Sequence, residues 1–297
     1  MAEISDEGTI GTYELKNITG ITKYSDDKIF VSAKGSTKTL SSYALDDLNN
    51  ISSSPTYSTL FLGKDIRSIT TYKNYLVIVS KTNDFKISLV NPTTRSQVGL
   101  KVWNSDTKTA EDVIDYATVP ILSITTACIR SCLKVITAII LESKIFMFVQ
   151  SNCTHNKGNI LYILSSGFDE DNLRIKDSFE LETFFNLYKN GKLNNLSKEL
   201  AKTVVVNSVA YNSDRNIFTL LHVYGKRQKG TNGYITNLEK YDYFSSLGSS
   251  LAILDLDLKK KPRGITYLGN NNYAIITNYT TVGSNSKLTK YQIVSLS

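Results

Sequence analysis

Short runs of alternating apolar and polar residues recur along the whole chain, separated by clusters of Asn, Asp, Ser and Gly. The clearest example is PRGITYLGNNNYAIITNYTTVGSNSKLTKYQIVSLS, from Pro262. A period of two marks strands with one buried face, and this stretch predicts three: GITYL, YAIIT and KYQIVSL. The first two are joined by Gly269-Asn270-Asn271-Asn272, residue types that tolerate a tight, left-handed turn. Related strand pairs begin at Thr19 (TGITKYSDDKIFVSAK), Arg67 (RSITTYKNYLVIVSK) and Asn207 (NSVAYNSDRNIFTLL), with a shorter-turned copy, VITAIILESKIFMFVQ, at Val135. In three copies the two anchors stand eight residues apart: Ile21 and Ile29, Val209 and Ile217, Ile265 and Tyr273.

Each pair leads into a third predicted strand: SSYALDD from Ser41, KISLVNP from Lys86, NILYILSS from Asn159, SSLAILDLD from Ser249 and KYQIVSL from Lys290. Most then reach a more polar fourth: TYSTLFL near Tyr57, SQVGLKVW ending at Trp103 and IKDSFEL ending at Leu181. A lone four-stranded unit cannot cover its own faces, so the units must stack on one another. The expected fold is therefore all-β: one β-propeller domain over residues 1–297, five-bladed, or six-bladed if residues 104–133 hold a degenerate blade. The last unit ends after its third strand. Residues 10–16 (IGTYELK) have the alternation to pair with residues 290–296 and to remove two exposed edges.

The copies are spaced by 48 to about 70 residues, so the units carry insertions. Residues 104–118 read as polar and turn-like. Residues 182–203 contain two helix-like pieces split at Asn190-Gly191, with Phe184, Phe185, Leu187 and Tyr188 on one face. Residues 226–244 read as a long loop.

Composition adds limits. Hydrophobic residues make up 41% and charged residues 21%, ordinary values for a chain with a core. A net charge of +7 admits a polyanionic partner but also serves solubility. The three cysteines imply no complete disulfide framework. Cys128 and Cys132 lie in an apolar run, and with only His155 and His222 in the chain zinc is not expected. MAEISDEG has neither the basic start nor the apolar run of a signal peptide, which leaves the compartment open. The most apolar stretch, residues 119–149, is broken by Arg130, Lys134, Glu142 and Lys144, so no membrane span is expected.

Candidate chemistry is sparse. The stretch 226–244 interleaves Lys226, Arg227, Lys229 and Lys240 with Tyr234, Tyr241 and Tyr243, and cations among aromatics suit anionic or glycan ligands. A solvated hairpin extension has the same composition. Asp46, Asp47, Asp255 and Asp257 stand at strand ends, where carboxylates suit calcium. They read equally as turn residues, and no cofactor or metal site is assigned. His222 closes the FTLLH strand and reads as a core histidine or a general base. There is no G-x-S-x-G, P-loop or dinucleotide fingerprint, and no catalytic residue is assigned. Five Asn-x-Ser/Thr sites, at Asn17, Asn50, Asn152, Asn195 and Asn278, are near the number that chance supplies.

GITYLGNNNYAIIT and SSLAILDLD resemble the broad β-propeller group of NHL, YncE-like and gluconolactonase-like repeats, in which a G-I strand, a turn, a Y-A-I-I strand and a strand ending in Asp recur. The resemblance implies architecture only. The Trp-Asp and Gly-His signatures of WD40 repeats are absent, and the lactonase metal set has no counterpart residues here. The leading expectation is a non-catalytic, monomeric module that binds a protein or glycan, ahead of nucleic acid. The alternative is a metal-assisted lactonase- or esterase-like hydrolase acting at the channel mouth.

Overall fold

The computed structural model describes residues 2–10, 17–34, 40–59, 65–81, 85–90, 92, 97–98, 100–104, 109–113, 117–118, 133–141, 144–152, 157–165, 174–181, 189, 204–224, 233–239, 254–256, 262–280 and 287–296. The elements among them are all strands. β1 (Ala2–Ile10) pairs only at the end of the chain. The first sheet follows as β2 (Ile18–Ser25), β3 (Lys28–Ala33), β4 (Leu40–Ala44) and β5 (Tyr57–Thr59). The second holds β6 (Asp65–Tyr72), β7 (Tyr75–Lys81) and β8 (Phe85–Val90), with β9 (Gln97–Val98) paired to β8. A separate hairpin, β10 (Leu100–Asn104) with β11 (Thr109–Val113), leads to β12 (Ala117–Thr118), which also pairs with β8.

The third sheet is β13 (Leu133–Leu141), β14 (Lys144–Asn152), β15 (Lys157–Ser165) and β16 (Arg174–Leu181). The fourth is β17 (Val204–Asn212), β18 (Ile217–Tyr224), β19 (Gly233–Glu239) and β20 (Leu254–Leu256). The fifth is β21 (Pro262–Gly269), β22 (Asn272–Thr280) and β23 (Lys287–Leu296), with β1 antiparallel along the outer side of β23.

Several boundaries differ from the sequence reading. The strand against β23 is Ala2–Ile10, with Ala2 opposite Leu296 and Ile10 opposite Thr289. The expected segment, 10–16, shares only Ile10 with it, and residues 11–16 lie outside the described residues. An outer strand is held by its backbone ladder, so Glu3, Asp6 and Glu7 are tolerated where the reading sought an apolar alternation. Residues 226–244 contain β19, the third strand of their sheet. That moves SSLAILDLD from third strand to fourth, as the short β20. Residues 104–118 supply β11 and β12 in place of a plain turn. Of the helix-like insertion at 182–203, only Lys189 is described, in helical conformation.

The hairpin turns follow from local chemistry. Asn270 (φ 52°) and Asn271 (φ 59°) join Gly269 to Asn272, and Asn accepts this left-handed conformation at low cost. Lys73 takes the same conformation (φ 50°) in the turn from Tyr72 to Tyr75, with its ammonium 5.2 Å from the Tyr72 ring centre.

A repeated irregularity organises the centre. Each first strand carries a β-bulge near its start, between Ile18 and Gly20, Ile66 and Ser68, Val135 and Thr137, Val206 and Ser208, and Pro262 and Gly264. A small residue or a threonine follows the bulge every time. The first strands then neighbour one another: β2 lies against β6 and β21, β6 against β13, β13 against β17, and β17 against β21. Their approach is close. A Cβ on Gly264 would stand 3.2 Å from Gly20 Cα, and one on Gly20 would stand 3.1 Å from the Ile69 nitrogen.

Apolar side chains fill the wedges between successive sheets. Ile21, Val31, Ile276 and Ile293 join the first and fifth sheets, and Phe30, Ile66 and Ile78 join the first and second. Phe146, Phe148 and Phe218 join the third and fourth. Phe218 meets Phe146 and Phe148 at ring-centre distances of 5.3 and 5.2 Å, in tilted and edge-on arrangements that aromatic quadrupoles favour.

Candidate functional site

First strands of neighbouring sheets expose backbone edges to each other, and hydroxyl side chains satisfy them. Lys23 N donates to Thr266 Oγ1 (2.9 Å), Thr71 Oγ1 to the Lys23 carbonyl (2.8 Å), and Thr70 Oγ1 to the Ala138 carbonyl (2.6 Å). Thr22 and Thr71 share a hydroxyl hydrogen bond of 2.9 Å. Thr22, Thr70 and Thr266 sit at one offset in TGIT, RSIT and RGIT, so the repeat that builds the strands also supplies their cross-links.

Beyond these contacts the strands diverge around a cavity of 610 Å³, lined by the ends of the first strands and the turns that follow them. Lys23, Asp26, Tyr211, Asp214, Thr266 and Tyr267 provide most of its chemistry. The Lys23 ammonium donates to the Leu268 carbonyl (2.8 Å) and pairs with Asp26 (2.9 Å). The Tyr267 hydroxyl donates to Asp214 Oδ2 at 2.5 Å and accepts from Asn271 N at 3.2 Å.

Asp214 is held in place from behind. The buried Asn212 accepts from the Asp214 and Arg215 nitrogens (3.1 and 3.0 Å) and donates through Nδ2 to the Tyr273 hydroxyl (2.7 Å). Tyr273 in turn shares a 2.9 Å hydrogen bond with Thr219. This chain ties the turn of the fourth sheet to the fifth.

The electrostatics follow from these contacts. The Tyr267 hydrogen bond, helped by Ser213 and by the charge of Lys23, holds the Asp214 carboxyl below its ordinary value against a smaller desolvation effect. Burial, then the bond to Asp214, pushes the Tyr267 phenol up to about 12. Near neutral pH the pair is therefore a carboxylate and a protonated phenol.

Of the binding candidates named from sequence, one is described. Tyr234 is in β19, opposite His222 and Asp255. Lys226, Arg227, Lys229, Lys240, Tyr241 and Tyr243 lie outside the described residues. β19 separates them in sequence, the first three leading into one end of the strand and the last three following the other.

His222 lies in β18, opposite Val206 and Tyr234, buried and away from the cavity. Burial pushes its imidazole down to about 3, so it is neutral and serves as a core residue, not as a base at the mouth. Asp46 spends its carboxylate on its own loop, accepting from Leu48 N, Asn50 N and Asn50 Nδ2 at 3.0, 2.7 and 2.9 Å. Among the described residues no group of three or more His, Cys, Asp or Glu is placed to hold a metal ion.

Lys23 and Asp214 were missed because KYSDD and YNSDR read as turn formers, and Tyr267 because it reads as part of the GITYL strand. Lys23 and Tyr267 each stand two residues past a first anchor, Ile21 and Ile265, and Asp26 and Asp214 each stand five past theirs, Ile21 and Val209; these repeated offsets were the available signal.

No protein-family model matches the chain, and no curated protein matches it in sequence. Solved structures do match in fold. A glutaminyl cyclase from Myxococcus xanthus aligns at a TM-score of 0.53 and 9% identity, covering 100% of this chain and 97% of that one. The Cps50 (Swd1) β-propeller domain of Myceliophteria thermophila aligns at 0.41 and 10%, covering 95% and 84%. The RRP9 WD40 repeats align at 0.46 and 7%, covering 98% and 100%. At such identities the likeness concerns architecture alone, and that architecture is β-propeller-like.

Proposed function

We propose that this chain is a five-bladed β-propeller, its last blade completed by β1, and that it is a non-catalytic binding module. The neighbour relations of β2, β6, β13, β17 and β21 support five blades, since each first strand lies between two others. One observation carries the functional reading: the polar groups at the mouth are already bonded to one another. Asp214 is engaged by Tyr267, and Lys23 by Asp26 and the Leu268 carbonyl. A carboxylate held below its ordinary value is a weak general base, and a phenol near 12 is a weak acid at neutral pH. Such a wall is fixed in advance for recognition, which lowers the ordering cost of binding.

Asp26 and Asp214 outnumber Lys23 at this mouth, so a neutral or amino-bearing polyhydroxylated ligand fits it better than an anionic one. Leu48, 76% exposed on the braced Asp46 loop, supports a protein partner at the same end, because Leu45 N of that loop bonds to the Asp27 carbonyl.

The test is a calorimetric titration with neutral, amino and acidic saccharides, run beside turnover assays on lactones and chromogenic esters. A neutral or amino saccharide should bind, with affinity lowered about 10-fold or more by Tyr267→Phe, which releases Asp214. Hydrolysis that disappears in Asp214→Asn would sink this reading in favour of the hydrolase.

A further inference from the structure

The cavity wall has two unlike sides, and the bulges fix which residues form them. Two places past the residue that closes each bulge stand Thr22, Thr70, Ile139, Ala210 and Thr266. All five line the cavity. One shared offset therefore sets one side chain of each first strand at the cavity: threonine on β21, β2 and β6, and an apolar residue on β13 and β17.

The threonine side is polar but largely engaged with itself. Thr70 donates to the Ala138 carbonyl and Thr71 to the Lys23 carbonyl, which makes Thr22 the donor in its 2.9 Å bond to Thr71. Thr266 accepts from Lys23 N. Next to these stand Lys23 and the Tyr267–Asp214 pair, which supply the polar edge of the mouth.

The β13 and β17 side has a different character. Past Ile139 and Ala210 come Leu141 and Tyr211, which line the cavity and are only half-buried. Both pack on the cluster that holds Phe146 and Phe218. The Tyr211 ring lies 5.6 Å from that of Phe218, and its hydroxyl donates to Asn216 Oδ1 at 2.6 Å. A leucine and an aromatic ring held half in water beside a cavity are apolar surface that a ligand gains by covering. The charged lining residues are Lys23, Asp26 and Asp214; none is on β13, and Asp214 is tied across to Tyr267 of the fifth sheet.

A volume of 610 Å³ suits a small molecule, and small-molecule sites commonly combine an apolar wall with a few placed polar groups. We propose that the cavity takes an amphipathic ligand, a sugar that carries an aryl group. The aryl group covers Leu141 and Tyr211 beside Ile139 and Ala210, and the hydroxyl groups face Lys23, Tyr267 and Asp214. A bare sugar leaves the Leu141 side uncovered, and a wholly apolar molecule strips water from Lys23 and Asp214 without replacing it. This inference rests on the binding reading above and narrows it to aryl glycosides.

The experiment is calorimetric titration of the full chain with methyl and phenyl β-glucosides, and with methyl and phenyl β-glucosaminides. Within a pair the phenyl compound should bind about 10-fold or more tighter, with a more negative heat-capacity change. Leu141→Asn should remove that difference, whereas Tyr267→Phe should weaken both members of a pair alike. Lys73→Asn, outside the cavity lining, should keep the difference. If Leu141→Asn fails to fold, Leu141→Ala and the heat-capacity comparison in the parent chain decide the matter. Equal affinities within each pair, or a difference that survives in the Leu141 variant, overturn the amphipathic site and leave the binding reading standing. No binding by any of the four compounds overturns both. Release of phenol, with the phenyl preference lost in the Leu141 variant, supports the two-sided cavity and removes the non-catalytic reading.

Discussion

His222 shows how one residue's setting determines its role. A histidine at the end of a strand is in sequence as compatible with catalysis as with a core. The fold puts it in β18 among apolar neighbours, where burial pushes the imidazole from its ordinary 6.5 down to about 3. The unfolded chain therefore takes up a proton below about pH 6.5 that the folded chain refuses until about pH 3. Stability falls as pH drops through that window, by up to about 1.4 kcal/mol per pH unit from this group. Urea unfolding at pH 7 and pH 5 should show a smaller loss in His222→Gln than in the parent chain. Equal losses would mean that His222 is not buried neutral.

At the scale of elements, the bulged first strand is the unit that matters. TGIT, RSIT and RGIT are legible as strand starts, and Ile21, Ile69 and Ile265 are buried as the alternation requires. The bulge is not legible, because an extra residue is defined only by the register of the partner strand. Nor is the need for Gly20 and Gly264. Glycine inside a strand reads as a weakness until the neighbouring backbone is seen 3.2 Å from where a Cβ would stand. Gly264→Ala should cost about 1–3 kcal/mol in urea unfolding, since the clashing atoms are backbone and cannot swing aside. Gly20→Ala with Gly264→Ala should depart from additivity, because the two positions touch. Additive small losses would show that the first strands separate easily.

At the scale of the molecule, the chain's two ends meet in one sheet. Ala2–Ile10 covers the outer edge of β23, which would otherwise present a row of unpaired backbone groups. Removal of residues 2–10 should lower Tm and promote self-association, seen as a shift to larger species in size-exclusion chromatography with light scattering. A truncated chain that stays monomeric with unchanged Tm would show that β1 is dispensable. This contact spans nearly the whole sequence, so it forms only after the intervening sheets have brought the ends together.

The amino-acid sequence by itself determined the all-β character, the recurring hairpins and the turn chemistry, because period-two burial and left-handed Asn or Gly turns are local properties. It marked Ile29, Ile217 and Tyr273 as core positions correctly. Tertiary structure alone decided which segment completes the last sheet and that β19 occupies residues read as a loop. It alone also brought Lys23, Asp214 and Tyr267 to one mouth. Each of these depends on pairing between residues distant in the chain, and neither propensity nor spacing carries that information.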